Sequence, residues 1–451
     1  MPGNATRRRK QSSGSLPPEL SQTKVQSLDL DGRGVARHDG KVVFIDGALP
    51  GETVQYRVWR RNPRFDLGSV QRIVRATTQR VVPQCPHYEC CGGCSLQHLE
   101  PRAQVAMKQR VLEEAFANIG HVQPESMLPA IHGSYWGYRH RARLSARHVA
   151  GKGGTLVGFR ERRGHRVVDM DSCKVLPPRI SALIAPLRLA LSGLQIADRI
   201  PQIEVAVGEE MDVLTLRVLD APAEADLDVL RAFAASYSVL IYLQTGGPDT
   251  VHALDPASSQ LLSYRLPEFD LDLQFGPSDF TQVNPGINRM LVRRAVALLE
   301  PQPHERIVDL FCGLGNFALA IARSGATVVG MEGGRPLVER AQQNAQHNGL
   351  DQHTRFVQAN LFENPAAVLQ SWGPFDRMLI DPPRDGAQAV VKAIGEQGPT
   401  RIVYISCNPA TLARDAGCLV HEKGYRLLSA GVANMFPHTS HVESMAAFVR
   451  G

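Results

Sequence analysis

From about residue 21 to 80, short runs alternate apolar and polar positions, as in KVVFIDGAL and GETVQYRVWR, with Asp-Gly and Pro-Gly turn signals between them. Several strands in so small a span predict a compact β-barrel. A helical pattern follows over about 96 to 119 (LQHLEPRAQVAMKQRVLEEAFANIG), with Gly120 as its stop. Residues 134 to 170 return to β patterning, and 180 to 275 alternate helical and strand patterns. From about 285 the rhythm becomes strand then helix. RIVDLF, ATVVGME, RMLID and RIVYIS are short apolar runs that each end in a polar or special residue. That rhythm predicts an α/β fold with a parallel sheet, whose ligands bind at the carboxyl ends of the strands.

The expected organisation is a disordered basic tail over 1–20, a barrel over 21–80, a central domain over 81–274 and a catalytic domain over 275–451. The helix near 96–119 is a candidate to pack with the catalytic domain. A chain of 451 residues suits two or three domains, and 43% apolar and 21% charged residues are ordinary for globular proteins. No apolar run approaches the roughly 18 residues of a membrane span. The N-terminus MPGNATRRRK has charge without an apolar core behind it, so a cytoplasmic location is expected.

The net charge of +6 is modest, but its distribution is not even. Arg57, Arg60, Arg61, Arg64, Arg72, Arg75 and Arg80 interleave with Tyr56, Trp59 and Phe65. A second basic group holds Arg139, Arg141, Arg143, Arg160, Arg162, Arg163 and Arg166. Arginines supply phosphate contacts and aromatic faces stack on bases, so RNA is the expected partner. A merely charged surface is the plainer alternative.

The first strand of the parallel sheet runs into Asp309-Leu310-Phe311-Cys312-Gly313-Leu314-Gly315-Asn316. The glycines permit close backbone approach to a ligand. Glu332, ending the next strand, is placed to accept hydrogen bonds from ribose hydroxyls. There is no third glycine and no phosphate-binding Lys-Ser/Thr, which favours the adenosine half of S-adenosylmethionine over a pyrophosphate. Asn360 and Asp381 follow later strand-like segments, where they could reach the adenine and the methionine end. Each alone reads as a cap or turn residue; together, at successive strand ends, they read as a cofactor site.

Asp381-Pro382-Pro383-Arg384 resembles the Asp/Asn-Pro-Pro-aromatic loop of amino-group methyltransferases, with arginine in the aromatic position. The next strand ends in Ser406-Cys407-Asn408-Pro409. A nitrogen acceptor needs no cysteine there, whereas carbon 5 of uracil does. A thiolate adding to carbon 6 makes carbon 5 nucleophilic, and a base then removes the carbon 5 proton. Cys407 is the expected nucleophile, with a depressed pKa. Glu443, His438 and His441 are the candidate bases, in a polar island that also reads as a surface turn. Cys312 and Cys418 read as packing residues.

Cys85, Cys90, Cys91 and Cys94 crowd into one segment, with Cys173 downstream. Only one C-x2-C pair is present, which favours an iron–sulfur cluster over a zinc ribbon, with Cys173 as fourth ligand and either Cys90 or Cys91 in the set.

The segments FGPSDFTQVNPGIN, DLFCGLGNF, SCNPATLARD and MFPHTSHVES resemble those of the bacterial 23S ribosomal RNA uracil-C5 methyltransferases. The resemblance spans nearly everything after the tail. It implies a TRAM (OB-like) barrel, a central α+β iron–sulfur and RNA-binding domain, and a C-terminal Rossmann-like class I S-adenosylmethionine methyltransferase fold. It also implies Cys407 as nucleophile, Glu443 as base, and Gln282, Phe311, Asn316, Glu332, Asn360 and Asp381 around the cofactor. Cys85, Cys91, Cys94 and Cys173 would hold a [4Fe-4S] cluster, and the substrate would be a flipped uridine of 23S rRNA. A monomer is the default expectation, which no sequence feature sets. The alternatives are a transfer-RNA uracil-C5 enzyme, whose relatives are expected to be shorter and without barrel or cysteine cluster, an amino-group methyltransferase, and an RNA-binding factor with a vestigial pocket.

Overall fold

The computed structural model describes residues 20–450. The expected tail therefore lies outside the described residues, apart from Leu20. The chain divides into two units, Met1–Val81 and Val82–Gly451.

The first unit is one six-stranded sheet of β1 (Ser21–Lys24), β2 (Ser27–Leu28), β3 (Gly34–His38), β4 (Lys41–Asp46), β5 (Thr53–Arg61) and β6 (Phe65–Arg75), in the order β1-β5-β6-β4-β3-β2. The sheet curls on itself, and the Gln26 N–H donates to the Val35 carbonyl. The alternation read in the sequence places Val43, Ile45, Val54 and Tyr56 inside. Three expected RNA contacts are thereby corrected. Tyr56 is a core residue. Phe65 packs edge-on against Phe44 at 5.4 Å. Arg80 is taken up by buried Glu52, with Nε at 2.6 Å and a second nitrogen at 2.7 Å. Arg57, Arg60, Arg61, Arg64, Arg72 and Arg75 stay exposed along β5 and β6, as does Trp59.

The second unit opens with the cysteine loop and helix α1 (Pro101–Ala115). The helix starts later than its pattern suggests, because Pro101 suits the first turn and the Glu100 carboxylate accepts from the Ala103 N–H at 2.9 Å. It ends in a wider turn, Phe116–Gly120. Gly120 lies so close to the later helix carrying Ala413 that a Cβ there would sit 2.3 Å from the Ala413 carbonyl oxygen.

Next come β7 (Ser126–Met127), β8 (Arg141–Val149), β9 (Gly154–Gly158), β10 (Gln202–Val207), β11 (Asp212–Arg217), β12 (Val239–Gln244) and β13 (Val251–Ala253). All but β7 form a mixed sheet in the order β13-β12-β11-β10-β8-β9, followed by the hairpin β14 (Leu262–Leu266) and β15 (Leu271–Phe275). Several arginines of the second basic group are internal ties rather than surface. Arg141 donates to the Pro277 and Asp279 carbonyls, and Arg162 to those of Tyr88 and Cys94.

Helix α2 (Pro285–Leu299) leads into the catalytic sheet: β16 (Arg306–Leu310), β17 (Thr327–Glu332), β18 (Thr354–Gln358), β19 (Arg377–Ile380), β20 (Arg401–Ser406), helix α3 (Pro409–His421), β21 (Tyr425–Ala433) and β22 (Glu443–Arg450). The order is β18-β17-β16-β19-β20-β22-β21-β7. The first five strands are parallel, and apolar runs such as Ile307-Val308 and Ile402–Ile405 are buried by helices on both faces. The strand order reverses between β16 and β19, which opens the crevice used by ligands in such sheets. Leu112 and Phe116 at the end of α1 share the core of this sheet with Val308, Ile402 and Leu412.

Candidate functional site

Three chain segments meet over the carboxyl ends of the parallel strands. The first is the turn after β16. Phe311 has φ +64°, an uncommon conformation for a bulky residue, and Gly313 and Gly315 have φ +54° and +96°. The turn is held because the Glu332 carboxylate, at the end of β17, accepts from the Gly313 N–H at 3.1 Å and from the Gly334 N–H at 3.0 Å. Each oxygen keeps a lone pair for a ligand hydroxyl. Nothing lies within 4 Å of where a Gly313 Cβ would stand, so the space above the turn is open. Asn316 is pinned by Tyr264 and by a reciprocal pair with Asn288, all at 2.9–3.0 Å. Asn360 accepts from the Phe362 N–H, and the Phe362 ring stands 5.5 Å from that of Phe311. Gln282 is half-buried just ahead of α2.

The sequence reading missed Asp309. It is fully buried, and neither carboxylate oxygen has a hydrogen-bond partner. Burial, and then the neighbouring carboxylates of Asp381 and Glu332, raise its pKa well above the usual carboxylate range. An unpartnered carboxyl group under the glycine turn fits a ligand carrying donors or positive charge.

The second and third segments carry the reactive groups. Asn408 caps α3 and ties its loop to the one after β19 by donating to the Arg384 carbonyl at 3.0 Å. β22 runs antiparallel between β20 and β21, with Ser406 paired to Ser444. One step along the same register sets Cys407 across from Glu443. The chain segment 434–444 is mostly buried, so the surface-turn reading of the polar island does not hold.

Electrostatics separate the candidate bases. His438 stacks on Trp136 at 3.9 Å between centroids, and burial with nearby Lys108 lowers its pKa to about 4. His441 lies 3.3 Å from an Arg384 nitrogen and is also shifted down, first by burial and then by Arg384. Glu443 is raised well above the usual range by burial and then by Asp381, with Lys108 and Arg384 opposing. Burial lifts Asp381 to about 7. The Cys407 thiol is shifted upward, against the sequence expectation. Burial dominates, Glu443 adds to it, and Arg384 opposes. Two acidic neighbours outweigh one guanidinium.

Cys85, Cys91, Cys94 and Cys173 line one small cavity, with Tyr88, Phe159 and Met170 among its walls. Cys90 is exposed and its thiol donates to the His87 carbonyl. Among the described residues, no three His, Cys, Asp or Glu side chains form a group that could hold a metal ion.

Two family models match this chain: tRNA (Uracil-5-)-methyltransferase over residues 268–450 and the TRAM domain over 24–70. The chain is 58% identical over 426 residues to the 23S rRNA (uracil(1939)-C(5))-methyltransferase RlmD of Nitrosospira multiformis, covering 94% of this chain and 97% of that one. It is 55% identical to the enzyme of the same name from Dechloromonas aromatica, covering 94% and 98%. The chain belongs to the RNA uracil-C5 methyltransferase family. It is therefore an S-adenosylmethionine-dependent methyltransferase with a TRAM domain ahead of its methyltransferase fold. Its fold also matches the crystal structure of Pyrococcus abyssi tRNA (uracil-54, C5)-methyltransferase with S-adenosyl-L-homocysteine, at TM-score 0.74 and 26% identity, over 95% of this chain and 99% of that one. A transfer-RNA enzyme of this length corrects the expectation that length separates the two substrate classes. Among the described residues, no helix is long and apolar enough to cross a membrane.

Proposed function

We propose that this enzyme methylates carbon 5 of the 23S rRNA uridine for which its relatives are named, with Cys407 as nucleophile and Glu443 as base. The observation that carries the reading is the β20–β22 register, whose last pair, Ser406 with Ser444, sets Cys407 and Glu443 beside one another at the strand ends. The base would be flipped out of its stack, since Cys407 is half-buried and Glu443 buried. The Cys407 thiolate adds to carbon 6, and carbon 5 then carries the nucleophilic electron pair. When bound, S-adenosylmethionine would give its methyl group to carbon 5 and leave as S-adenosylhomocysteine, its positive sulfonium suited to a pocket rich in carboxyls. Glu443 takes the carbon 5 proton, the carbon 5–carbon 6 double bond re-forms and the thiolate leaves. Glu332 would receive the ribose hydroxyls, with Gln282, Phe311, Asn316, Asn360 and Asp381 around the rest of the cofactor. The pinned amide of Asn316 supports a positioning role there. The exposed arginines of β5 and β6, with Trp59, suit RNA phosphates and a stacked base.

A 5-fluorouracil-substituted 23S fragment tests this. Fluorine does not leave as the proton does, so enzyme, fragment and S-adenosylmethionine should form a denaturant-stable adduct. Methylation of ordinary RNA without such an adduct would remove the nucleophile assignment and favour amino-group transfer.

We further propose a [4Fe-4S] cluster on Cys85, Cys91, Cys94 and Cys173, four thiols that line one cavity but are not themselves gathered as closely as metal ligands. The four thiols share an apolar lining, and burial raises Cys91 to about 11 and Cys94 to about 12, so those two would stay protonated unless a metal compensated. Cys91→Ser is expected to lose bound iron and acid-labile sulfide, while Cys90→Ser retains both. The reverse pattern would move the ligand set to Cys90.

A further inference from the structure

Lys108, on α1, has no exposed surface. Its ammonium donates to Asn434 Oδ1 and to the Phe436 carbonyl, both at 2.8 Å. These acceptors lie just beyond Ala433, which pairs with Glu443 across β21 and β22. Neutral groups already fasten this loop. The Ser95 and Leu96 N–H groups donate to the His438 carbonyl, the His438 N–H donates to Gln104, and the Tyr138 hydroxyl donates to the Pro437 carbonyl. A purely mechanical tie needs no charge, and a buried ammonium is strongly unfavourable unless an anion compensates it.

We propose that Lys108 is a positioning residue for proton abstraction: it fixes the 434–436 turn and supplies the positive charge that lets the buried Glu443 side chain act as a carboxylate. The proposal rests on the reading of Glu443 as base. Glu443 meets Asp381, which disfavours its ionisation, and Arg384 from the same loop, which favours it. Cys407 stands opposite on β20, and His438 and His441 lie on its own loop. Burial lowers the Lys108 pKa to about 7 and Glu443 opposes that fall, so the ammonium is present only in part at neutral pH and owes part of its charge to Glu443.

The sign follows from linkage. Glu443 already binds its proton more tightly than a free carboxylate. Removing the neighbouring cation tightens it further, so less carboxylate exists at neutral pH and the acid limb of the turnover profile moves to higher pH. The full-length enzyme should be assayed with S-adenosylmethionine and the 23S fragment as Lys108→Gln, which keeps a donor amide without charge, and as Lys108→Met. Both should move the acid limb upward by about one pH unit, lowering turnover at pH 7 roughly tenfold with recovery at alkaline pH. A cysteine–RNA adduct should accumulate during turnover, because only its resolution is slowed. Lys108→Met should also melt earlier. A Lys108→Gln enzyme with an unmoved acid limb and no accumulated adduct would overturn the proposal and leave Lys108 a mechanical tie. Glu443→Gln run in parallel separates the two claims: wild-type turnover in that variant would sink the base assignment itself.

Discussion

Cys407→Ala is expected to abolish methyl transfer, with a loss on the order of 10⁴-fold or more, while RNA and S-adenosylmethionine binding stay near wild type. Carbon 5 of uracil is not nucleophilic until something adds to carbon 6, so the remaining groups have no residual route. The substitution removes one half-buried sulfur at the end of β20, where Asn408 still caps α3, so the fold should persist. Equilibrium binding of S-adenosylhomocysteine and a melting curve would establish that. The adduct with 5-fluorouracil RNA should vanish in the same variant. Retained methylation in Cys407→Ala would transfer the chemistry to an amino group, the reaction suggested by Asp381-Pro382-Pro383. The upward shift of the thiol adds a second expectation. Cys407 faces Glu443 and Asp381 before ligands arrive, so thiol alkylation of the free enzyme should be slow near pH 7 and quicken as pH rises.

Much of this site was readable because parallel strands buried on both faces appear as continuous apolar runs. β16, β17, β19 and β20 were located that way, and with them Glu332, Asp381 and Cys407. β18 gave a weaker signal, a strand-like segment ahead of Asn360 but no continuous apolar run, since TRFVQ lies at the sheet edge and is only partly buried. The insertion of β22 between β20 and β21 is a long-range pairing that no local pattern encodes, yet it alone brings Glu443 to Cys407. The arginine-rich segments misled for a related reason. Composition cannot distinguish Arg57 in solvent from Arg80 clamped on Glu52, or Arg143 from Arg141. Cys90 and Cys91 differ by one position in a loop, and only the fold turns one outward. Lys108 did leave a signal: Gln104, Lys108, Leu112 and Ala115 recur at helical spacing on one face of α1, and all are buried. Two polar residues on an otherwise apolar stripe mark a face that docks against polar groups.

The cysteine loop and the catalytic loop are also one mechanical system. Ser95, next to Cys94, donates its N–H to the His438 carbonyl and accepts from the Ser440 N–H at its hydroxyl. Arg162 spans the Tyr88 and Cys94 carbonyls beneath. A group bound among those thiols would thus brace the segment leading to Glu443 without touching the substrate.

Glu443→Gln should behave in the opposite way to Cys407→Ala. Thiol addition and methyl transfer precede proton removal, so a neutral amide of the same shape leaves both steps available and blocks only the last. Turnover should fall by about 10²–10⁴-fold, the usual range for a lost general base. Ordinary, unfluorinated RNA should then stay attached to the enzyme through Cys407, already carrying its new methyl group. Denaturing electrophoresis would detect the conjugate, and mass spectrometry of the peptide bearing Cys407 would show the added methyl. A variant that neither turns over nor forms the conjugate would place Glu443 before methyl transfer, in activating Cys407 or orienting the base. One that turns over normally would hand proton removal to Asp381, the other carboxyl facing the thiol.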